Sequence, residues 1–178
     1  MADGAQSYVI DTCAIGDLTG ENRETPTPYM PFEIERIWHG LEALIEARRL
    51  ATVHQAKVEM RAYCPQGYKR LERHGRRFFV PRIASVWEAT RQVLEAAAEQ
   101  RTLRRYALAK ANRDPADPYL VGLAIVRDAK IVTSERGRNE RTMRQSEQRI
   151  PDLCLAYFGD AKRVVHLEDL VRDECFLD

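Results

Sequence analysis

The sequence predicts an α/β fold: a three-layer α/β/α sandwich around a short central parallel sheet, in a single domain. Three observations predict it. Short apolar, β-prone runs alternate with longer stretches of helical spacing, the pattern that builds right-handed βαβ units. The chain has 178 residues, the size of one ordinary domain with its own core. No internal repeat, low-complexity tract or linker divides it.

Ser7–Ile10 is the first strand, ending in Asp11-Thr12-Cys13. Residues 20–31, with Gly20 and three prolines, read as a loop. Phe32–Arg49 sets Ile34, Ile37, Trp38, Leu41, Leu44 and Ile45 on one helical face, for the core or a dimer contact, with core burial the simpler reading. Leu50–His54 is a second strand. Gln55–Tyr63 is helical, stopped near Cys64-Pro65. Val86–Lys110 is a long helical stretch with room for a break, and Asp117-Pro118 opens another helix through Asp128. Ala129–Thr133 is a third strand, Ile150–Phe158 a short helix, Arg163–His166 a fourth strand, and Leu167 begins a closing helix. Residues 6–60 and 114–170 then form the α/β core, with 61–113 a basic helical insertion or decoration.

Composition excludes several classes. At 44% apolar and 31% charged, the chain suits a globular protein and not a disordered one. The longest uncharged apolar run, Tyr119–Val126, falls far short of the roughly 20 residues a membrane span needs. The first residues carry neither the basic region nor the apolar run of a secretory signal, so a cytoplasmic location is expected. Cys13, Cys64, Cys154 and Cys175 are far apart, and His39, His54, His74 and His166 are scattered. Neither a disulfide scaffold nor a structural zinc site is expected, and Cys154 reads as a small buried apolar residue. Charge is distributed unevenly. Residues 1–56 hold 4 Lys/Arg against 9 Asp/Glu, residues 57–113 hold 14 against 5, and residues 114–178 hold 10 against 13. A basic middle between acidic flanks is the electrostatic footprint of polyanion binding, or else a solvated helical face.

The acidic flanks carry the chemistry. In a parallel α/β sheet, ligands bind outside the carboxyl ends of the strands. Asp11 ends strand one, Glu59 lies early on the helix after strand two, Asp117 opens the helix before strand three, and Glu135 follows strand three directly. Taken singly, Asp117 is a helix cap beside Pro118, Glu59 an exposed helix residue and Glu135 a loop acid. Asp114 reads mainly as a cap and Asp17 as a helix-face or capping acid. Taken together, four carboxylates in one cleft would repel one another, and they make sense as a hard-cation site for Mg²⁺ or Mn²⁺. Such ions activate water for phosphodiester displacement without a Ser, Cys or His nucleophile, and the sequence shows no nucleophile motif.

At these residues the chain resembles the PIN-domain family. The matching pieces are Tyr8-Val9-Ile10-Asp11-Thr12, Val58-Glu59-Met60, Asp117-Pro118-Tyr119-Leu120-Val121-Gly122-Leu123-Ala124 and Ile131-Val132-Thr133-Ser134-Glu135, in family order and at compatible spacing. Ala116–Leu120 and Ile150–Cys154 resemble a bacterial PIN-like subfamily. The resemblance covers about residues 8–60 and 114–155. It implies a PIN-like fold and a Mg²⁺- or Mn²⁺-dependent ribonuclease, with VapC-type toxins, an antitoxin partner and a homodimer as the family's common setting. Carried over by position, Asp11, Glu59, Asp117 and Glu135 would be catalytic and hold the metal. Thr12 would orient Asp11 or a water, and Thr133 would hydrogen-bond within the cleft. Two positions depart from the pattern: Cys13 stands where a small polar residue is frequent, and the fourth acid is Glu135 where Asp is commoner.

With an RNA substrate in view, Arg101, Arg104 and Arg105 share a helix face and are candidate RNA contacts. Lys69, Arg70, Arg73, Arg76 and Arg77 form a second basic cluster. Tyr68, Phe78 and Phe79 lie nearby, for base stacking or for the core, with the core favoured for the two phenylalanines. Trp38 and Trp87 are the aromatic candidates for an interface. Two rival readings remain: a PIN-fold RNA- or protein-binding module with little catalysis, and a phosphatase-like enzyme. The phosphatase would need a second Asp two residues after Asp11, where Cys13 stands.

Overall fold

A computed structural model describes residues 6–21, 27–99, 116–135 and 150–177. Five parallel strands form one sheet in the order β3-β2-β1-β4-β5: β1 Tyr8–Ile10, β2 Leu50–Val53, β3 Phe79–Val80, β4 Lys130–Val132 and β5 Val164–Val165. The described helices are α1 Thr12–Thr19, α2 Pro31–Glu46, α3 Ala56–Tyr63, α4 Pro65–Leu71, α5 Gly75–Phe78, α6 Ala84–Glu99, α7 Ala116–Arg127, α8 Ile150–Phe158 and α9 Leu167–Asp173. They cover both faces of the sheet, so the fold is the expected three-layer α/β/α sandwich in a single domain.

Strand alternation makes the layers. Tyr8, Ile10, Leu50, Phe79 and Val132 pack into one cluster with α1, α2, α4 and α9. Val9, Ala51, Val53, Val80 and Ile131 pack on the other face with α6, α7 and α8. Strands buried on both faces read as the continuous apolar runs seen in the sequence. The helical face of Ile37, Trp38, Leu41, Leu44 and Ile45 is buried in the first cluster, so it belongs to the core. Among the described residues no helix is long and apolar enough to cross a membrane.

The basic middle departs from a purely helical decoration. Phe79–Val80 pairs with Thr52–Val53 and forms an edge strand, while α6 packs along α7 through the second cluster. Two residues are too few to show a period, which is why the strand was not evident. Phe78 and Phe79 are buried, as the core reading expects. Within the basic cluster, Arg70, Arg73 and Arg77 are paired with acids of α2. Arg70 pairs with Glu35 and Glu42 at 2.9 and 3.0 Å and lies over the Trp38 ring at 4.9 Å. Arg73 pairs with Glu42 at 2.7 Å, and Arg77 with Glu46. The acids of α2 therefore pair with these arginines, and acidic flank and basic middle meet across α2 at the surface. Arg101, Arg104, Arg105 and Asp114 lie outside the described residues.

Candidate active site

All strands run parallel, so their carboxyl ends share one edge. The chain leaves β1 toward β2 on one side and returns to β4 on the other, which opens a crevice at that edge between the ends of β1 and β4. A cavity of about 840 Å³ lies there, lined by Asp11, Thr12, Cys13, Gly16, Glu21, Glu59, Ala62, Tyr63, Cys64, Pro65, Asp117 and Glu135. All four acids read from the sequence reach this one cavity, from four separate parts of the chain. Thr12 lines it too, and Thr133 touches its lining. Asp17 sits on α1 and does not line it. Sequence reasoning missed Glu21, which Gly20 delivers: its left-handed φ of 69° ends α1 and turns the chain back into the cleft. Nothing in the local sequence around Glu21 marks that turn except the glycine.

Asp11 is the most enclosed of these acids, 5% exposed. Its Oδ1 accepts the Thr12 N–H at 2.6 Å, and its Oδ2 accepts the Cys13 thiol at 2.7 Å and the Thr133 hydroxyl at 3.0 Å. Burial raises its pKa above the ordinary aspartate value. The hydrogen bonds from Cys13, Thr133 and Thr12 pull it back, and the charge of Asp117 pushes it further up. Cys13 is thus part of the site, not a bystander. Its sulfur also lies 3.2 Å from Thr133 Oγ1 and accepts the Ser134 N–H at 3.3 Å. Burial and the neighbouring Asp11 charge push its thiol well up, so it stays a protonated donor. Thr133 Oγ1 also accepts the Glu135 N–H at 3.1 Å, tying the end of β4 to Asp11. The Thr12 hydroxyl is buried without a hydrogen-bond partner, so Thr12 orients Asp11 through its backbone.

The acids also cap helices. Asp11 caps α1. Glu21 accepts the Gln66 and Gly67 N–H groups of α4 at 3.1 and 3.4 Å. Glu59 Oε1 accepts the Ala116 N–H of α7 at 3.3 Å, and Glu135 Oε2 accepts the Ile150 N–H of α8 at 2.8 Å. Four helix N-termini therefore surround the cavity, each with a carboxylate on its first turn. Their positive ends offset part of the charge of the five carboxylates that line the cavity.

The donor set is all oxygen and anionic, apart from the two thiols. In chemistry it fits a hard divalent cation. The compensation is incomplete, since the Asp117 charge still raises the cost of charging Asp11 and, among the described residues, the Thr12 hydroxyl has no partner. No group of three or more His, Cys, Asp or Glu among the described residues is gathered closely enough to hold a metal as it stands.

A family model described as a domain of unknown function (DUF4411) matches residues 8–172. The chain belongs to this family. The DUF4411 match runs from β1 into α9 and so contains all four acids, Glu21 and Cys13. No curated protein and no solved structure matches.

Proposed function

We propose that this DUF4411 protein is a metal-dependent endoribonuclease of PIN-like type, cutting RNA phosphodiesters with Mg²⁺ or Mn²⁺ in the acidic cavity. One observation carries the reading. Asp11, Glu59, Asp117 and Glu135, dispersed along the chain, line a single cavity at the carboxyl edge of a parallel sheet. Asp11, Glu59, Asp117 and Glu135 would hold the cation. A divalent cation there supplies an activated water and offsets phosphate charge. The chain's own residues do the positioning. Thr12 N–H fixes Oδ1 of Asp11, while Cys13 and Thr133 hold Oδ2, so the carboxylate is aimed before substrate arrives. Glu59 and Glu135 hold the ends of α7 and α8 against the cavity. The role of toxin held by an antitoxin, the homodimer and the cytoplasmic setting rest on the PIN-like resemblance.

The caps favour a second reading. Glu59, Glu135 and Glu21 each have a structural task that needs no metal, which suits a PIN-fold RNA- or protein-binding module. Cleavage of total cellular RNA separates the two, run with Mn²⁺ or Mg²⁺, with EDTA, and with Asp11→Asn. Nuclease chemistry requires cutting that depends on metal and vanishes in Asp11→Asn. Asn offers one acceptor oxygen where Asp11 uses two, so a thermal melt without metal checks that the variant remains folded. Calorimetric titration with Mn²⁺ adds a readout independent of turnover. No cutting and no Mn²⁺ heat would transfer the assignment to the binding module.

A further inference from the structure

Arg82 follows β3 by two residues and so lies on the same sheet edge as the acids. Its guanidinium sits 4.1 Å from the Trp87 ring and 5.2 Å from the Tyr119 ring, and the two rings stack at 6.0 Å with 27° between their planes. Those three distances form a triangle. A guanidinium that lies over the indole at 4.1 Å and remains 5.2 Å from Tyr119 must occupy the same indole face as Tyr119. The 42% exposure of Trp87 then belongs to its opposite face and edge. A shallow hollow of about 310 Å³ lies beside it, lined by Arg82, Ile83, Ala84 and Trp87, with Ile83 itself 44% exposed.

Two features of this platform are not used by the core, and a third ties it to the helix of the acidic cavity. A large aromatic face is open to water, although burying it would stabilise the fold. Arg82 is exposed and pairs with no carboxylate among the described residues, in a molecule whose other described arginines are mostly matched to acids. The platform is anchored on Tyr119, a core residue of α7, the helix whose first turn carries Asp117 of the acidic cavity. A rigid π-face beside an available cation is the pairing that stacks a base and holds its phosphate.

We infer that Trp87 and Arg82 form a stacking subsite for one base of single-stranded RNA, seating the strand beside the acidic cavity. This inference rests on the ribonuclease reading for its substrate class. Trp87 stacks the base, Arg82 takes the adjacent phosphate, and Tyr119 fixes the platform against α7. Occupancy would place the neighbouring phosphodiester toward Asp117.

Trp38 is buried and Trp87 exposed, and the chain has two tryptophans, so fluorescence can isolate Trp87. The experiment titrates full-length Asp11→Asn protein, which holds uncut RNA, with a short oligoadenylate and with an abasic ribose-phosphate chain of equal length. Oligoadenylate should quench the emission, and Trp87→Phe should abolish the quench while retaining most of the affinity. Trp87→Ala should weaken oligoadenylate binding about 5- to 150-fold, the equivalent of one lost base stack, and leave the abasic chain unchanged. Arg82→Gln should weaken both probes. Unchanged emission, or equal loss of both probes in Trp87→Ala, would overturn the subsite and leave the platform to a protein partner. The result is separable from catalysis. Metal-dependent cutting without Trp87-dependent binding refutes the subsite alone, and Trp87-dependent binding without cutting refutes the nuclease alone.

Discussion

The crossing of α6 and α7 is set by Gly122, and replacing it with Ala tests how the site is held. A Cβ at this position would lie 2.4 Å from Thr90 Oγ1, 2.9 Å from Thr90 N and 3.0 Å from Val86 O. Two of these are backbone atoms. The third cannot swing aside freely, because the buried Thr90 hydroxyl donates to Val86 O at 2.7 Å and would forfeit that bond, worth about 1 kcal/mol. Against this stands the better helix propensity of Ala, a gain of about 1 kcal/mol over Gly in a helix interior. Overpacking that moves backbone costs about 1–3 kcal/mol. With the Thr90 bond strained as well, the clash outweighs the propensity gain by about 2 kcal/mol. For a chain of this size that is about 4–8 °C in Tm.

The assay is a thermal melt of Gly122→Ala beside Thr90→Ala and the double variant. Thr90→Ala removes the contact at 2.4 Å but neither backbone contact, so it should recover about half of the loss in the double variant, a coupling of about 1 kcal/mol. The fluorescence of Trp87 should also change, because α6 carries Trp87 and α7 carries Tyr119 and Asp117. A Tm equal to or above that of the parent protein would refute the reasoning, since propensity would then have won and the crossing would have slack.

Two further outcomes follow from the ion pairs. Arg70→Ala should lower the urea midpoint, because it frees Glu35, leaves Glu42 to Arg73 alone and uncovers Trp38, yet leave RNA affinity unchanged; weakened RNA binding at constant fold would return Arg70 to the RNA surface. At α9, the His166 N–H donates to Asp169 at 2.9 Å and, with Arg172, holds its carboxyl below the usual 3.8. The unfolded chain therefore binds the proton more readily, so this stabilisation is complete above the ordinary aspartate value and is lost as pH falls through the folded one. Asp169→Asn should flatten the acid end of the stability–pH curve and leave its slope at neutral pH intact, and a parallel drop at every pH would show a purely neutral cap.

What could be read from the sequence was what a short window encodes. Tyr8–Ile10, Leu50–Val53 and Lys130–Val132 are buried on both faces, so each shows as an apolar run, and the acids that follow them stand at positions the topology must bring together. Helix α1 was not foreseen: Thr12–Thr19 holds Cys13, Gly16 and two threonines, weak helix formers, and is helical because Asp11 caps it and the sheet buries Ile15 and Leu18. Glu21 was missed because a single Gly20 turn carries it into the cleft. Charge counts leave Arg70, Arg73 and Arg77 open between a polyanion-binding surface and a solvated face, because they ignore which helix lies opposite. Only the three-dimensional pairing with Glu35, Glu42 and Glu46 shows that they are satisfied within the fold.

Glu135 decides how much of the acidic cavity is architecture and how much is chemistry. As a cap it needs an acceptor oxygen for the Ile150 N–H, which both Glu and Gln provide. As a metal ligand it needs the charge, which Gln lacks. Glu135→Ala removes the cap and should cost about 1 kcal/mol, about 2–4 °C. Glu135→Gln keeps the acceptor and relieves repulsion among five carboxylates, so its Tm should equal or exceed that of the parent protein. If the cavity serves only to end helices, Gln should be silent in every assay. If it holds a cation, Gln should lose Mn²⁺ binding and RNA cleavage while melting normally. A Gln variant that melts as low as Ala would refute both halves, since the charge itself would then be what α8 requires. The same comparison at Glu59 tests the start of α7, where the cap at Ala116 and the acid at Asp117 are adjacent residues. A cleft built from helix ends can hold its acids in place before any cation arrives, and the Gln variants measure whether that preparation is put to use.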